Sequence, residues 1–174
     1  MKVKSIGQKN IIVSVVMGSD SDLPVMTEAT KILEEFGIRH ELFLTSAHRT
    51  PERTAQFAEQ AAQRGVKIIL VGAGAAAHLA GVIASQTQLP VIGVPIDATA
   101  LHGMDALLST VQMPGGIPVA TMAIGKAGAK NAALFALRIL ALEDKKVSVK
   151  LSAYIQKMAQ DVEKKQDLIS CRKS

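Results

Sequence analysis

Ile11-Ile12-Val13-Ser14-Val15-Val16-Met17 runs directly into Gly18-Ser19-Asp20-Ser21-Asp22, and this junction decides the fold. A continuous apolar, β-branched run is the mark of a strand buried on both faces. Behind the small polar turn comes Pro24–Phe36, where Val25, Ala29, Ile32, Leu33 and Phe36 recur at helical spacing and Gly37 supplies a stop. Strand, tight turn and helix in that order open a parallel α/β domain.

The alternation continues outward from this unit. Arg39–Leu44 reads as a second strand. Thr50-Pro51 reads as an N-cap followed by proline at the first helical position, and the helix it opens stops at Gly65. Val66–Val71, Val91–Val94 and Pro118–Ala123 read as strands three to five, with helices at Ala76–Gln86, Gly103–Val111 and Ala127–Leu142. Val147–Ile169 is a further, amphipathic helix. The expected architecture is α/β: a three-layer, flavodoxin-like parallel sheet of five strands with right-handed crossovers, helices on both faces, and an added C-terminal helix. Residues 1–174 read as a single domain, with a core at 11–142 and a C-terminal helical arm at 147–169.

Composition narrows the function. A chain of 174 residues with 48% hydrophobic content is not disordered and buries a real core. Only 3% of residues are aromatic, which argues against a surface for stacking nucleic-acid bases. The single cysteine, Cys171, allows no intramolecular disulfide and suits a reduced cytoplasmic compartment. The net charge of +5 divides into +2 over residues 1–140 and +3 over 141–174. In the second stretch Glu143, Asp144, Asp161 and Glu163 interleave with Lys145, Lys146, Lys150, Lys157, Lys164, Lys165, Arg172 and Lys173. That pattern describes a solvated helix face and no nucleic-acid patch.

Lys2, Lys4 and Lys9 before Ile11–Met17 superficially suggest a signal peptide. The apolar run is short, Gly18–Asp22 is a poor cleavage region, and a strand explains it better. Ile68–Ser85 carries no charge, but its glycines and His78 argue against a membrane span. The expectation is a soluble cytoplasmic protein with no membrane partner.

Between Lys67 and Lys126 lie 58 residues of which only Asp97 and Asp105 are charged. Exposed surface is normally charged, so such a stretch belongs in a core or against other subunits. A homo-oligomer with a large apolar interface is expected, the C-terminal helix being a candidate arm to a neighbour.

In an open parallel sheet, ligands bind beyond the carboxyl ends of the strands. Three loops qualify: Gly18–Asp22, Thr45–Thr50 and Gly72–Leu79. Gly18 permits a tight turn, and Ser19 and Ser21 supply hydroxyls in a loop suited to a phosphate. The aspartates would repel a phosphate, so one of them contacts sugar hydroxyls or caps the helix; Asp22, just before Leu23-Pro24, suits either role. Arg49 is able to bind a phosphate bidentately. His48 beside it is able to give or take a proton near neutral pH, or simply to bind a loop carbonyl. The third loop offers backbone N–H groups and a dry pocket, or only tight helix–sheet packing. His78 reads as structural, and His40 and His102 have no supporting constellation. There is no HExxH, Cys/His cluster, GxSxG, GxGxxG or P-loop. What remains is phosphate anchoring plus one proton shuttle, as in an isomerase or lyase.

Several segments together resemble the PurE family of de novo purine synthesis. They are Met17–Asp22, Ser46-Ala47-His48-Arg49-Thr50-Pro51, Gly72-Ala73-Gly74 with Ala76-Ala77-His78-Leu79, Gln112-Met113-Pro114 with Gly116-Ile117-Pro118-Val119, and Ala123-Ile124-Gly125 with Ala127-Gly128-Ala129 and Asn131-Ala132-Ala133. The likeness covers roughly Ile11 to Leu142. His-Arg-Thr-Pro at 48–51 and Ala-Ala-His-Leu at 76–79 look like the class I form. That form is a mutase which moves a carboxyl group from the exocyclic nitrogen of N5-carboxyaminoimidazole ribonucleotide to C4 of the ring.

The resemblance implies a general acid and base at His48. It implies ribonucleotide contacts at Ser19, Asp22 and Arg49, and a pocket shaped by Gly18, Ser21, Ser46, Ala47, Gly74 and Ala76. It implies a homo-octamer, no metal and no organic cofactor, and leaves room for transient contact with the upstream ATP-dependent synthetase. Ala75 stands where the family usually has glycine, and Ala80 where it usually has proline. If the backbone at 75 needs a positive φ, the added methyl group is a strain there. The rival readings are a class II direct carboxylase using CO2 and a non-catalytic nucleotide-phosphate-binding module on the same fold.

Overall fold

The computed structural model describes residues 11–171. Lys2, Lys4, Lys9, Arg172, Lys173 and the Cys171 side chain lie outside the described residues. The strands are β1 (Val13–Met17), β2 (His40–Leu44), β3 (Ile68–Gly74), β4 (Val91–Ile96) and β5 (Ala120–Thr121). The helices are α1 (Leu23–Phe36), α2 (Pro51–Ala61), α3 (Leu79–Ala84), α4 (Met104–Val111), α5 (Gly125–Leu140) and α6 (Lys145–Cys171). Single 3₁₀ turns at Asp20–Asp22 and Ala62–Arg64 lead into α1 and out of α2.

All four strand pairings are parallel and the order is β2-β1-β3-β4-β5, the expected flavodoxin-like sheet. The central strands are apolar because both of their faces are covered. Val13, Val15, Val16, Ile68, Ile69 and Leu70 have no solvent exposure. On one face Val16, Ile69, Val71 and Val91 pack with Phe57, Ala58 and Ala61 of α2, Leu79 and Ile83 of α3, and Ala106 of α4. On the other, Gly72 leaves room for Met26 of α1 beside Ile96. Burying each such aliphatic side chain contributes about 1.5–3 kcal/mol, which is why this run forms the sheet centre.

The chain divides into two compact units, Met1–Leu134 and Phe135–Ser174. The second holds the end of α5 and all of α6. Asp144 Oδ1 accepts the N–H groups of Lys146 at 2.8 Å and Val147 at 3.3 Å, capping the start of α6. Val147 and Leu151 are buried, whereas Ile155, Met158, Val162 and Ile169 of the same helix are exposed. Among the described residues no helix is long and apolar enough to cross a membrane.

Some boundaries differ from the sequence reading, for physical reasons. The third helix begins at Leu79 instead of Ala76, because Ala75 turns the chain with φ 52°. Short bonds from Ala77 N–H to Ala75 O and from His78 N–H to Ala76 O then occupy the turn. β5 is only two residues long, preceded by Pro118, which has no N–H to give a ladder. Thr50 does not cap α2 with its side chain. Its hydroxyl is engaged within the preceding loop instead, accepting from Ser46 N–H at 3.0 Å and donating to Ser46 O at 3.1 Å.

Candidate active site

β1, β2 and β3 lie side by side, Met17 pairing with both Leu44 and Gly72, and β3 runs two residues further to Gly74. The loops that follow them therefore emerge together. This is where the chain leaves β1 to one side for β2 and to the other for β3, the switch point at which open α/β sheets form a crevice. A cavity of about 470 Å³ occupies it. Gly18, Ser19, Ser21, Asp22, Ser46, Ala47, His48, Arg49, Gly74 and Ala76 all line it, so every residue singled out for the site reaches one cavity.

The first loop is organised by its own polar groups. Ser19 Oγ accepts from Ser21 N–H at 3.3 Å and from the Ser21 hydroxyl at 2.8 Å. Asp22 Oδ2 accepts the Ser19 N–H at 3.1 Å, which completes a capping box over the 3₁₀ turn. The expectation that Asp22 caps α1 is thus corrected: its carboxylate reaches back to Ser19, and α1 begins without a side-chain cap. Asp22 is only 4% exposed. Burial raises its pKa above 3.8, the hydrogen bonds from the Ser19 and Gly18 backbone oppose that rise, and the nearby Asp20 charge adds to it.

The second loop is fixed by hydroxyls. Thr45 is buried, and its Oγ1 meets Thr50 Oγ1 at 3.1 Å and Thr54 Oγ1 at 2.9 Å. Arg49 donates from its backbone to Ser46 Oγ at 3.2 Å, and its guanidinium Nη2 donates to Gly18 O at 3.2 Å, which ties this loop to the first. His48 stands exposed at the cavity wall.

The third loop brings what the sequence reading missed. His78 Nδ1 lies 2.9 Å from His48 Nε2, and the two rings meet edge to face with centroids 5.0 Å apart. At that distance one nitrogen donates and the other accepts, so the tautomer of one neutral ring sets that of the other. From sequence His78 reads as structural because it follows a run of small residues; only the fold shows that it faces the other loop. Ala73, Ala75, Leu79 and Ala98 also line the cavity. Ala98 follows β4, and the strand-end rule that selected three loops would have found it in a fourth. His40 and His102 lie elsewhere: His40 Nδ1 bonds Ile38 O at 3.0 Å, and His102 Nδ1 stands 3.7 Å from Asp97. Among the described residues, no three His, Cys, Asp or Glu side chains gather as a metal site would.

Taken together, these features define an open parallel α/β protein with a small-molecule cavity at its switch point. The cavity is lined by serines, Arg49 and the His48 imidazole, which His78 contacts from outside the lining, together with alanines and glycines. Comparison with known proteins agrees. The AIR carboxylase family model matches residues 12–161, and the chain belongs to that family.

The N5-carboxyaminoimidazole ribonucleotide mutase of Pyrococcus horikoshii is 56% identical over 163 residues, spanning 94% of this chain and 91% of that protein. The mutase of the same description from Thermotoga maritima is 52% identical over 150 residues, 86% of each chain. The crystal structure of Treponema denticola PurE superposes with a TM-score of 0.81 at 28% identity, covering 90% of this chain and 96% of that one. Like these relatives, the chain is an enzyme.

Proposed function

We propose that this chain is an N5-carboxyaminoimidazole ribonucleotide mutase acting in purine biosynthesis, with His48 as the proton carrier. The observation that carries the reading is the imidazole of His48 on the wall of a cavity whose other polar groups, Ser19, Ser46 and Arg49, suit a ribonucleotide phosphate. The high identity to relatives of that description supports the same reading.

The substrate carbamate is labile and the ring carbon is enamine-like. As the exocyclic N–C bond breaks, its electron pair stays on nitrogen, His48 donates a proton there, and CO2 is released into the cavity. The ring then attacks CO2 through C4, and His48 recovers the proton from C4 as aromaticity returns. The proton balance closes on one imidazole, and no other reagent is consumed. His78 orients the His48 ring through the nitrogen it faces. Ala47, Ala73, Gly74 and Ala76 line the cavity with apolar groups that offer CO2 nothing to react with except the ring. Asp22, buried beside Ser19, suits the ribose hydroxyls.

The protein is read as a cytoplasmic homo-octamer. Leu101, Met104, Leu108 and Val111 support the association, being 47–62% exposed within the nearly uncharged stretch. The chain is read as one domain, with 147–169 as its arm to a neighbour. Transient contact with the upstream synthetase belongs to the same reading.

The deciding experiment supplies N5-carboxyaminoimidazole ribonucleotide without ATP and follows the C4-carboxylated product. Turnover only from the uncarboxylated ribonucleotide with bicarbonate would mark a direct carboxylase. Binding without turnover of either would mark a phosphate-binding module. A sedimentation mass of one 18.4 kDa chain at micromolar concentration would contradict the oligomer.

A further inference from the structure

A second cavity of about 250 Å³ adjoins the first and shares Gly18, Ser19, Ser46 and Arg49 with it. Its remaining cation is Arg53, from the first turn of α2. The Arg53 guanidinium lies 4.9 Å from the centre of the Phe43 ring. Arg64 is stacked in much the same way, 5.1 Å from the Phe57 ring, but is also paired with Glu41 at 2.8 Å. Among the described residues neither Arg53 nor Arg49 has a carboxylate within ion-pairing distance. Asp20 also borders the cavity, but its Oδ1 is occupied by the Ser19 hydroxyl and the Ser21 N–H.

Two guanidinium groups on one small cavity repel each other, and a cation in the first turn of a helix opposes the helix dipole. The aromatic face fixes Arg53 in place without neutralising it. An anion between the two arginines removes both costs.

We infer that Arg53 is a second anchor for a phosphomonoester, held in this adjoining cavity between its guanidinium and that of Arg49. The inference deepens the mutase reading and rests on it for the identity of the ligand, the 5′-phosphate of the ribonucleotide; free inorganic phosphate has the same chemistry.

The test uses the full chain and the variants Arg53→Gln and Arg53→Lys. Because Arg53 is exposed, its loss in Arg53→Gln raises KM for the ribonucleotide about fivefold at low salt. The kcat stays within about twofold, the charge being remote from the proton transfer. Inorganic phosphate inhibits competitively, its inhibition constant rises by the same factor in Arg53→Gln, and Arg53→Lys recovers most of both. Unchanged KM and phosphate inhibition in Arg53→Gln would overturn the assignment, as would phosphate inhibition that is not competitive with substrate. Thermal unfolding with inorganic phosphate alone decides Arg53 independently of turnover. A phosphate-induced rise in Tm that shrinks in Arg53→Gln supports the anchor, and an equal response in both proteins sinks it. An inactive wild type would remove the mutase reading while leaving that measurement intact.

Discussion

The two loops that supply the imidazole pair hold their shapes by opposite means. Thr45–Thr50 is a polar loop in which a buried threonine hydroxyl reaches two others and the backbone of Ser46 is bound twice by Thr50. Gly72–Leu79 has almost no side-chain chemistry. It holds its course because Gly72 and Gly74 leave no room for a side chain and because Ala75 takes a left-handed turn. One loop is tied by bonds and the other by close packing, yet they place two imidazoles 2.9 Å apart. The cavity consequently has a polar wall fixed by hydrogen bonds and, opposite it in chemistry, an apolar wall of Ala73, Gly74, Ala75 and Ala76.

The comparison is broken most severely at the imidazoles. His48→Asn should lower kcat by about 10²–10⁴, the usual worth of a general acid–base group, while calorimetry finds ribonucleotide binding retained. Equal turnover in the variant would defeat the proton-carrier role. Next comes Gly74→Ala on the packed wall. Its new Cβ meets the Cβ of Ala98 at 2.6 Å and the Ile96 carbonyl oxygen at 3.1 Å. Overpacking of this kind costs about 1–3 kcal/mol, read as a lower midpoint in urea.

On the bonded wall, Thr45→Val keeps the shape and removes the shared hydroxyl, at a cost of about 1–2 kcal/mol in the same measurement. Ala75→Gly should act in the opposite direction. It relieves a methyl group held at φ 52° and stabilises by about 1 kcal/mol, seen as a Tm a few degrees higher. A lower Tm would show that the turn carries no strain.

The smallest effect is expected away from both walls. Hydrogen bonds and charge from Lys31 and Lys130 lower the pKa of Glu28 below 4.5. Its folded pKa lies under its unfolded one, so its stabilisation is present above about pH 4.5 and is lost as pH falls through the folded value. Glu28→Gln should flatten the acid limb of stability below pH 4.5 and leave neutral-pH kinetics unchanged.

Much of this was legible in the residues alone. Ile11–Met17 and Ile68–Val71 had to be strands covered on both faces, because no other placement hides so many β-branched side chains. Alternation with helical periodicity then settled a parallel sheet, and the strand-end rule pointed to the loops containing Ser19, His48, Arg49 and Gly74. Local hydrogen-bond choices were less legible. Asp22 and Thr50 each suit a helix cap by residue type, but each found a partner in its own loop. Such competition among nearby donors is settled by a few degrees of backbone rotation, which residue type does not specify.

Periodicity and turn chemistry act between near neighbours, so the sequence by itself determined the strands, the helices, their order and the three ligand-facing loops. The tertiary structure alone decided that His78 faces His48 and that Ala75 sits in the left-handed region. It alone placed Arg53 beside Arg49 on a shared cavity. The histidine contact spans thirty positions and depends on the register of β1, β2 and β3, which is set by sheet pairing and core packing. Pairing across such distances is a property of the closed sheet, and no local pattern of residues encodes it.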